Sequence, residues 1–163
     1  MEKIVIYTDG AARGNPGKGG YGVVLMAGKH RKELSEAFRR TTNNRMELLA
    51  VVRALQALKR NDLPIEIHTD SRYVCDAINK GWLMGWQRKG FQGKKNVDLW
   101  KMLIPYLVQF KPKFFWVKGH NGHPLNERCD ELATLAADNG PFKIDSTFEA
   151  EEKASKDNSG LFE

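Results

Sequence analysis

The chain has 163 residues, 41% of them hydrophobic and 28% charged, with a formal net charge of +6. That length suits one domain with a real core and is short for two. No run approaches the ~20 apolar residues of a membrane span, and the opening MEKIVIYTDG has neither the apolar length nor the cleavage site of a signal peptide. A cytoplasmic monomer is therefore expected, with Cys75 and Cys129 as reduced thiols.

Residues 3–9 (KIVIYTD) are β-branched, aromatic and loosely alternating, so they read as a first strand that closes on Asp9. The Gly-rich stretch GAARGNPGKGG reads as a hairpin turn, YGVVLMA as a second strand and Lys32–Arg40 as a third, giving an antiparallel meander. In TTNNRMELLAVVRALQALKR, Thr and Asn offer N-caps, and Leu48, Val51, Val52, Leu55 and Leu58 recur at helical spacing. IEIHTD is a fourth strand closing on Asp70, and a helix from about Ser71 to Asn79 follows it. A Trp-rich basic segment leads into a helix over Val97–Phe110, then the strand KFFWVKG. A last helix runs from Pro124 to about Asn139, with Leu132, Leu135 and Ala136 inward. The order βββ-α-β-α-α-β-α implies an α/β fold: a mixed sheet with helices on both faces. After Gly140-Pro141 the apolar pattern fades, and residues 142–163 read as a disordered acidic tail. Its ending, Ser159-Gly160-Leu161-Phe162-Glu163, is an apolar pair on a polar leash. It reads either as a plain chain end or as a weak docking peptide for a replication protein such as a sliding clamp.

Charge is unevenly spread. From Lys80 to Lys101 six cations face one acid, Asp98, and are interleaved with Trp82, Trp86, Phe91 and Trp100, a composition suited to phosphate contacts. Side chains at the ends of neighbouring strands lie about 5 Å apart, so Asp9 and Asp70 can face one point. Glu47 in the first turns of one helix and Asp130 early in another can join them if both helices start near that edge. Four converging carboxylates repel one another, and hard divalent cations such as Mg²⁺ relieve that repulsion. Two ions roughly 4 Å apart activate a water and steady a leaving oxygen in phosphodiester cleavage. On spacing alone, four scattered acids among the 20 present remain the simpler reading.

Other motifs do not assign a competing chemistry. Gly17-x-Gly19-x-x-Gly22 formally fits a dinucleotide fingerprint but precedes a strand, not a helix. A phosphate-binding P-loop fails because Gly19 follows Lys18 and Ala12 stands at the first Gly position. His120, His123, Cys129 and Asp130 lack the paired spacing of a zinc site, so His123 reads as a structural partner in its loop.

The strings YTDGAARGNPGKGGYG, TTNNRMELLAVVRAL, HTDSRYV, KNVDLW and WVKGHNGHPLNERCDELA, in this order and with the Trp-rich insert, closely resemble the bacterial type 1 ribonucleases H from about Lys3 to Asn139. The resemblance implies a ribonuclease H-like fold with a five-stranded mixed sheet, three antiparallel strands then two parallel. Residues 1–141 would form the catalytic domain, with residues 80–95 as its basic handle. The implied activity is endonucleolytic hydrolysis of the RNA strand of RNA–DNA hybrids, with little sequence preference, two Mg²⁺ ions (or Mn²⁺), and 5′-phosphate and 3′-hydroxyl products. Asp9, Glu47, Asp70 and Asp130 match the metal-binding carboxylates, and His120 matches a histidine that assists proton transfer or product release. Gly10, Ala12, Asn15, Asn43 and Asn44 match groups that meet the hybrid's minor groove. Thr42 and Asn96 match residues that grip a DNA-strand phosphate, with helix capping as their alternative role. Arg72 stands where some relatives carry a Gln that reaches the RNA. In the handle, Trp82, Trp86, Arg88, Lys89, Lys94 and Lys95 are the expected contacts, Trp82 balanced between core and interface and Trp86 favoured for the interface. The rival readings are a non-catalytic hybrid-binding module and a DNA-processing nuclease of the same fold.

Overall fold

The structure, a computed structural model, describes residues 3–119 and 122–160. Six strands form one sheet in the order β5-β4-β1-β2-β3-β6. Strands β1 (Ile4–Arg13), β2 (Gly17–Ala27) and β3 (His30–Thr41) make the antiparallel meander. Strands β4 (Ile65–Thr69) and β5 (Lys113–Trp116) add to the β1 edge in parallel. The sixth strand, β6 (Phe142–Lys143), pairs in parallel with β3 at the far edge. It corrects the five-strand expectation. With only two residues it has no alternation to read; it follows Gly140, which caps the preceding helix with a φ of 71°.

The helices lie on both faces. Helix α1 (Asn43–Gln56) covers one face and carries α4 (Val97–Phe110) on its back; α2 (Arg72–Asn79) and the short α3 (Trp82–Arg88) complete that layer. The main core lies here, with Ile6, Val23, Leu48, Val52, Ile67 and Leu103 fully buried. Helix α5 (Pro124–Asn139) covers the opposite face, where Tyr7, Val24 and Cys129 form a smaller core. Leu135, expected inward, is 50% exposed, whereas Ala136 and Ala133 are buried. Small residues face β2 because α5 lies very close to it. At Gly20 an added Cβ would sit 2.7 Å from Ala136 Cβ and 2.8 Å from the Ala133 carbonyl oxygen. Gly17–Gly20 therefore do not form the hairpin turn expected of them. They lie within β2, and at Gly20 the missing side chain admits the helix.

The chain after Pro141, expected as a disordered tail, is described through residue 160 as a short strand and a helix. After β6, Ser146–Gly160 form α6, tied to β3 by bidentate Arg39–Glu149 and Arg40–Glu152 pairs. Just before α6, Asp145 is buried. It accepts from the Thr41 hydroxyl at 2.7 Å and from two Arg45 nitrogens at 2.7 and 2.9 Å. The proposed docking residues 161–163 lie outside the described residues. No described helix is long and apolar enough to cross a membrane.

Candidate active site

The site forms where β4 leaves β1. The two strands pair from Ile4↔Ile65 to Thr8↔Thr69, and there β4 ends. Strand β1 does not close on Asp9 as expected; it continues to Arg13, held on its other side by β2 through Asp9↔Gly22. Asp9 is thus fixed in mid-strand yet freed on its β4 side, one residue beyond the last paired rung. Asp70, the residue after β4, takes the corresponding place there. Glu47 enters from α1, which packs unusually close: a Cβ on Gly10 would stand 2.5 Å from the Glu47 backbone nitrogen. Only glycine at position 10 lets the helix present Glu47 beside Asp9.

Oxygens of Asp9, Glu47 and Asp70 lie within 4.8 Å of one another. Asp9 and Glu47 are 4% and 5% exposed. Burial first, then the Asp70 charge, pushes the Asp9 carboxyl up to about 8, even though Oδ1 accepts from the Gly10 N–H at 2.8 Å. Glu47 is raised well above the carboxylate range by burial, then by the charges of Asp9 and Asp70. Its Oε2 is buried without a hydrogen-bond partner. An orphaned buried oxygen among mutually repelling carboxylates is the donor set a hard divalent cation fits. Of the four expected acids, these three come together. Asp130, on the second turn of α5, stands outside that triplet and acts on Asp9 through its charge. His120 lies outside the described residues.

Outside the handle, the expected nucleic-acid contacts divide into three groups. Thr42, Asn15, Asn44, Lys95 and Asn96 line one pocket of about 570 Å³, whose other wall is α6 through Phe148 and Glu151. Thr42 caps α1, accepting from the Arg45 N–H at 3.2 Å. The Asn15 Oδ1 accepts from the Asn43 N–H at 3.0 Å, tying the hairpin to the same helix start. Asn96 makes no side-chain capping bond; its amide donates to Tyr73 Oη at 3.0 Å. Gly10 and Ala12 run along β1 past the carboxylates, with Gly10 buried and Ala12 half-buried. Arg72 stacks its guanidinium 3.9 Å above the Trp116 ring, and Trp116 Nε1 donates to the Asp70 carbonyl at 3.1 Å. The KFFW strand pattern does not single out Trp116; only its place beside β4 connects it with the site.

In the handle the balanced Trp82 lies on the exposed side, and Trp86, expected at the interface, is partly buried. Trp86 packs against the main core, edge-on to Trp100 at 5.7 Å, while Trp82 is 47% exposed. Both carry a lysine over the ring: Lys94 above Trp86 and Lys80 above Trp82. Arg88, Lys89, Lys94 and Lys95 are all exposed.

A family profile described as RNase H matches residues 1–138. The chain belongs to the ribonuclease H family. Among curated ribonucleases H, that of Novosphingobium aromaticivorans is 51% identical over 142 residues, 84% of this chain and 98% of the relative. That of Aeromonas hydrophila is 47% identical over 154 residues, covering 91% and 99%. Among solved ribonuclease H structures, LC9-RNase H1, a type 1 enzyme with the type 2 active-site motif, superposes with a TM-score of 0.75 at 29% identity, covering 84% of this chain and 72% of that one. LC11-RNase H1, solved in complex with an RNA/DNA hybrid, gives 0.67 at 28% identity, covering 83% and 97%. The ribonuclease H family assignment and the fold thus agree with the resemblance, and the sheet carries one extra edge strand.

Proposed function

We propose that this chain is an endonuclease that hydrolyses the RNA strand of RNA–DNA hybrids, leaving 5′-phosphate and 3′-hydroxyl ends, with Mg²⁺ as its ion and Mn²⁺ as a substitute. The observation that carries the proposal is the Asp9–Glu47–Asp70 cluster, two of its acids buried and Glu47 Oε2 unsatisfied, in a chain of this family. Asp9, whose carboxylate lies beside those of Glu47 and Asp70, would contribute to holding both ions. Glu47 and Asp70 would each hold one, and Asp130 would complete the negative field. When bound, a pair of ions supplies the Lewis acidity that activates the attacking water and steadies the departing 3′-oxygen.

The chain's own groups do the rest. The Asp9 backbone, pinned to Gly22 of β2, holds its carboxylate still while the scissile phosphate is seated. His120 is assigned the proton passing to or from the departing group. Asn43, Asn44, Asn15 and the backbone at Gly10 and Ala12 would read successive 2′-hydroxyls, the feature that separates RNA from DNA. Thr42 and Asn96, with Lys95 beside them, would take a phosphate of the DNA strand. Arg72, held flat on Trp116, would meet a phosphate or base edge. Because these contacts read sugar and shape, little sequence preference follows.

The test is a panel of labelled RNA–DNA hybrid, double-stranded DNA and double-stranded RNA with Mg²⁺. Cleavage confined to the RNA strand of the hybrid is expected. Binding without cleavage would instead favour a silent module, and cleavage of DNA a DNA-processing enzyme. The handle yields a second expectation. Changing Arg88, Lys89, Lys94 and Lys95 to Ala should weaken hybrid binding and reduce the slope of log affinity against log salt by about 0.9 for each phosphate that the variant no longer neutralises. An unchanged slope would remove the handle from the interface.

A further inference from the structure

Directly beneath the carboxylates lies a row of rings that the proposed chemistry does not use. Side chains alternate along a strand, so Tyr7 points to the same face as Asp9, and His68 to the same face as Asp70. The registers Tyr7↔His68 and His68↔Phe115 set three rings side by side across β1, β4 and β5. Tyr7 stacks on His68 with centroids 4.7 Å apart and planes 13° from parallel; His68 stacks on Phe115 at 5.1 Å. A fourth ring reaches the row from α5. His123 lies 4.9 Å from Tyr7, and its Nε2 is 3.1 Å from the Tyr7 hydroxyl.

His123 immediately precedes α5. It is the N-cap residue, and its carbonyl oxygen accepts from the Glu127 N–H at 2.9 Å. Its side chain makes no capping bond. The ring is turned to the sheet instead, and the Tyr7 hydroxyl is its hydrogen-bond partner there, because Nδ1 is buried with none. Asp130 follows seven residues later, two turns along and near the same azimuth of the helix. The start of α5 is thus bonded to the strand residue two positions before Asp9, on Asp9's own face.

We propose that Tyr7 is a positioning residue for the nuclease reaction, acting through its hydroxyl on His123 to set where α5 begins on the sheet and so where Asp130 stands relative to Asp9. The proposal rests on the hybrid-nuclease reading for its kinetic consequence, but the Tyr7–His123 hydrogen bond can be tested apart from it. The hydroxyl is the only group removed by Tyr7→Phe, which keeps the stack on His68. A helix start held by one fewer bond costs little in folding, yet a small displacement of a charged group at the site costs turnover.

The experiment compares wild type, Tyr7→Phe, His123→Gln and the double variant. Tyr7→Phe is expected to lower kcat about 10-fold, with KM for the hybrid within about 2-fold and a near-native melting temperature. The double variant should be no worse than the more damaged single variant, because the two residues act as one unit. In parallel, nitrogen NMR of the histidine rings, without substrate or metal, should show the His123 resonance moved by Tyr7→Phe and unmoved by Lys89→Ala. Wild-type kcat in Tyr7→Phe, or a fall in kcat no larger than the fraction unfolded at the assay temperature, would overturn the positioning role. An unmoved His123 resonance would overturn the hydrogen bond itself. If wild type fails to cut hybrid while that resonance still moves, the nuclease reading falls and the hydrogen bond stands.

Discussion

Asp9→Asn should yield a protein that no longer cuts and yet melts at a higher temperature than its parent. Loss of the carboxylate beside those of Glu47 and Asp70 should lower Mg²⁺-dependent cleavage by at least about 10³-fold, on the order of 4 kcal/mol of transition-state stabilisation. Hybrid binding through the handle and the asparagines should survive. The gain in stability follows from the same geometry. Burial and the neighbouring Asp70 charge hold the Asp9 carboxyl at about 8 in the folded protein, against an ordinary 3.8.

A carboxyl raised in this way binds a proton in the folded state that the unfolded chain has already released, so stability falls as pH rises from about 4 to 8. Above that window both states are ionised and the cost stays constant. Asparagine removes this pH-dependent cost, so the metal-free variant should exceed wild type by about 2–4 kcal/mol at pH 7, less at pH 5. Mg²⁺ stabilises only the chain that binds it, so its addition should narrow the gap. Thermal melts at pH 5 and 7, each with and without Mg²⁺, check all three statements. A gap that is flat in pH, or residual turnover above about 1% of wild type, would contradict them.

The legible parts of this molecule are those in which one residue type answers to one local rule. Pro124 and the Asn139-Gly140 pair bound α5 where the sequence places it, because proline suits a helix start and glycine a helix end. Asp9 and Asp70 are readable as neighbours because they end two apolar runs, even though β1 continues past Asp9. The misread parts depend on partners distant in sequence. Trp82 and Trp86 stand four apart on one short helix, and the contact with Trp100, on another helix, marks Trp86 as the one packed against the core. Gly20 looks like a turn residue because its reason is an alanine face more than 100 positions later. The tail looks disordered because its acids stand unopposed in their own stretch of sequence. Their partners, Arg39, Arg40 and Arg45, lie about 100 residues earlier, on β3 and α1.

The order of the tail has a large expected consequence. Truncation after Pro141, harmless if the tail were disordered, should destabilise the fold by about 3–5 kcal/mol. Arg45 is 2% exposed and lies between Asp98, at 2.7 and 2.9 Å, and Asp145, at 2.7 and 2.9 Å. Removing Asp145 leaves a buried guanidinium with one of its two carboxylate partners, the situation in which the desolvation cost is no longer offset. The exposed Arg39–Glu149 pair and the part-buried, solvent-accessible Arg40–Glu152 pair contribute little beside it. For a chain of this size the loss corresponds to a fall of roughly 10 °C in Tm. Asp145→Ala in the full chain should reproduce most of it, which separates the buried charge from the bulk of α6. Arg45→Met in the truncated chain should recover part of it, since the unpaired charge goes with the side chain. If truncation costs less than about 1 kcal/mol, or Arg45→Met makes the truncated protein worse, the buried network is not what joins the tail to the domain. Because Arg45 stands two residues before Glu47 on the first turn of α1, the tail also buttresses the helix that presents that carboxylate. The truncated protein, assayed well below its melting point, should therefore need more Mg²⁺ for half-maximal activity than the full chain.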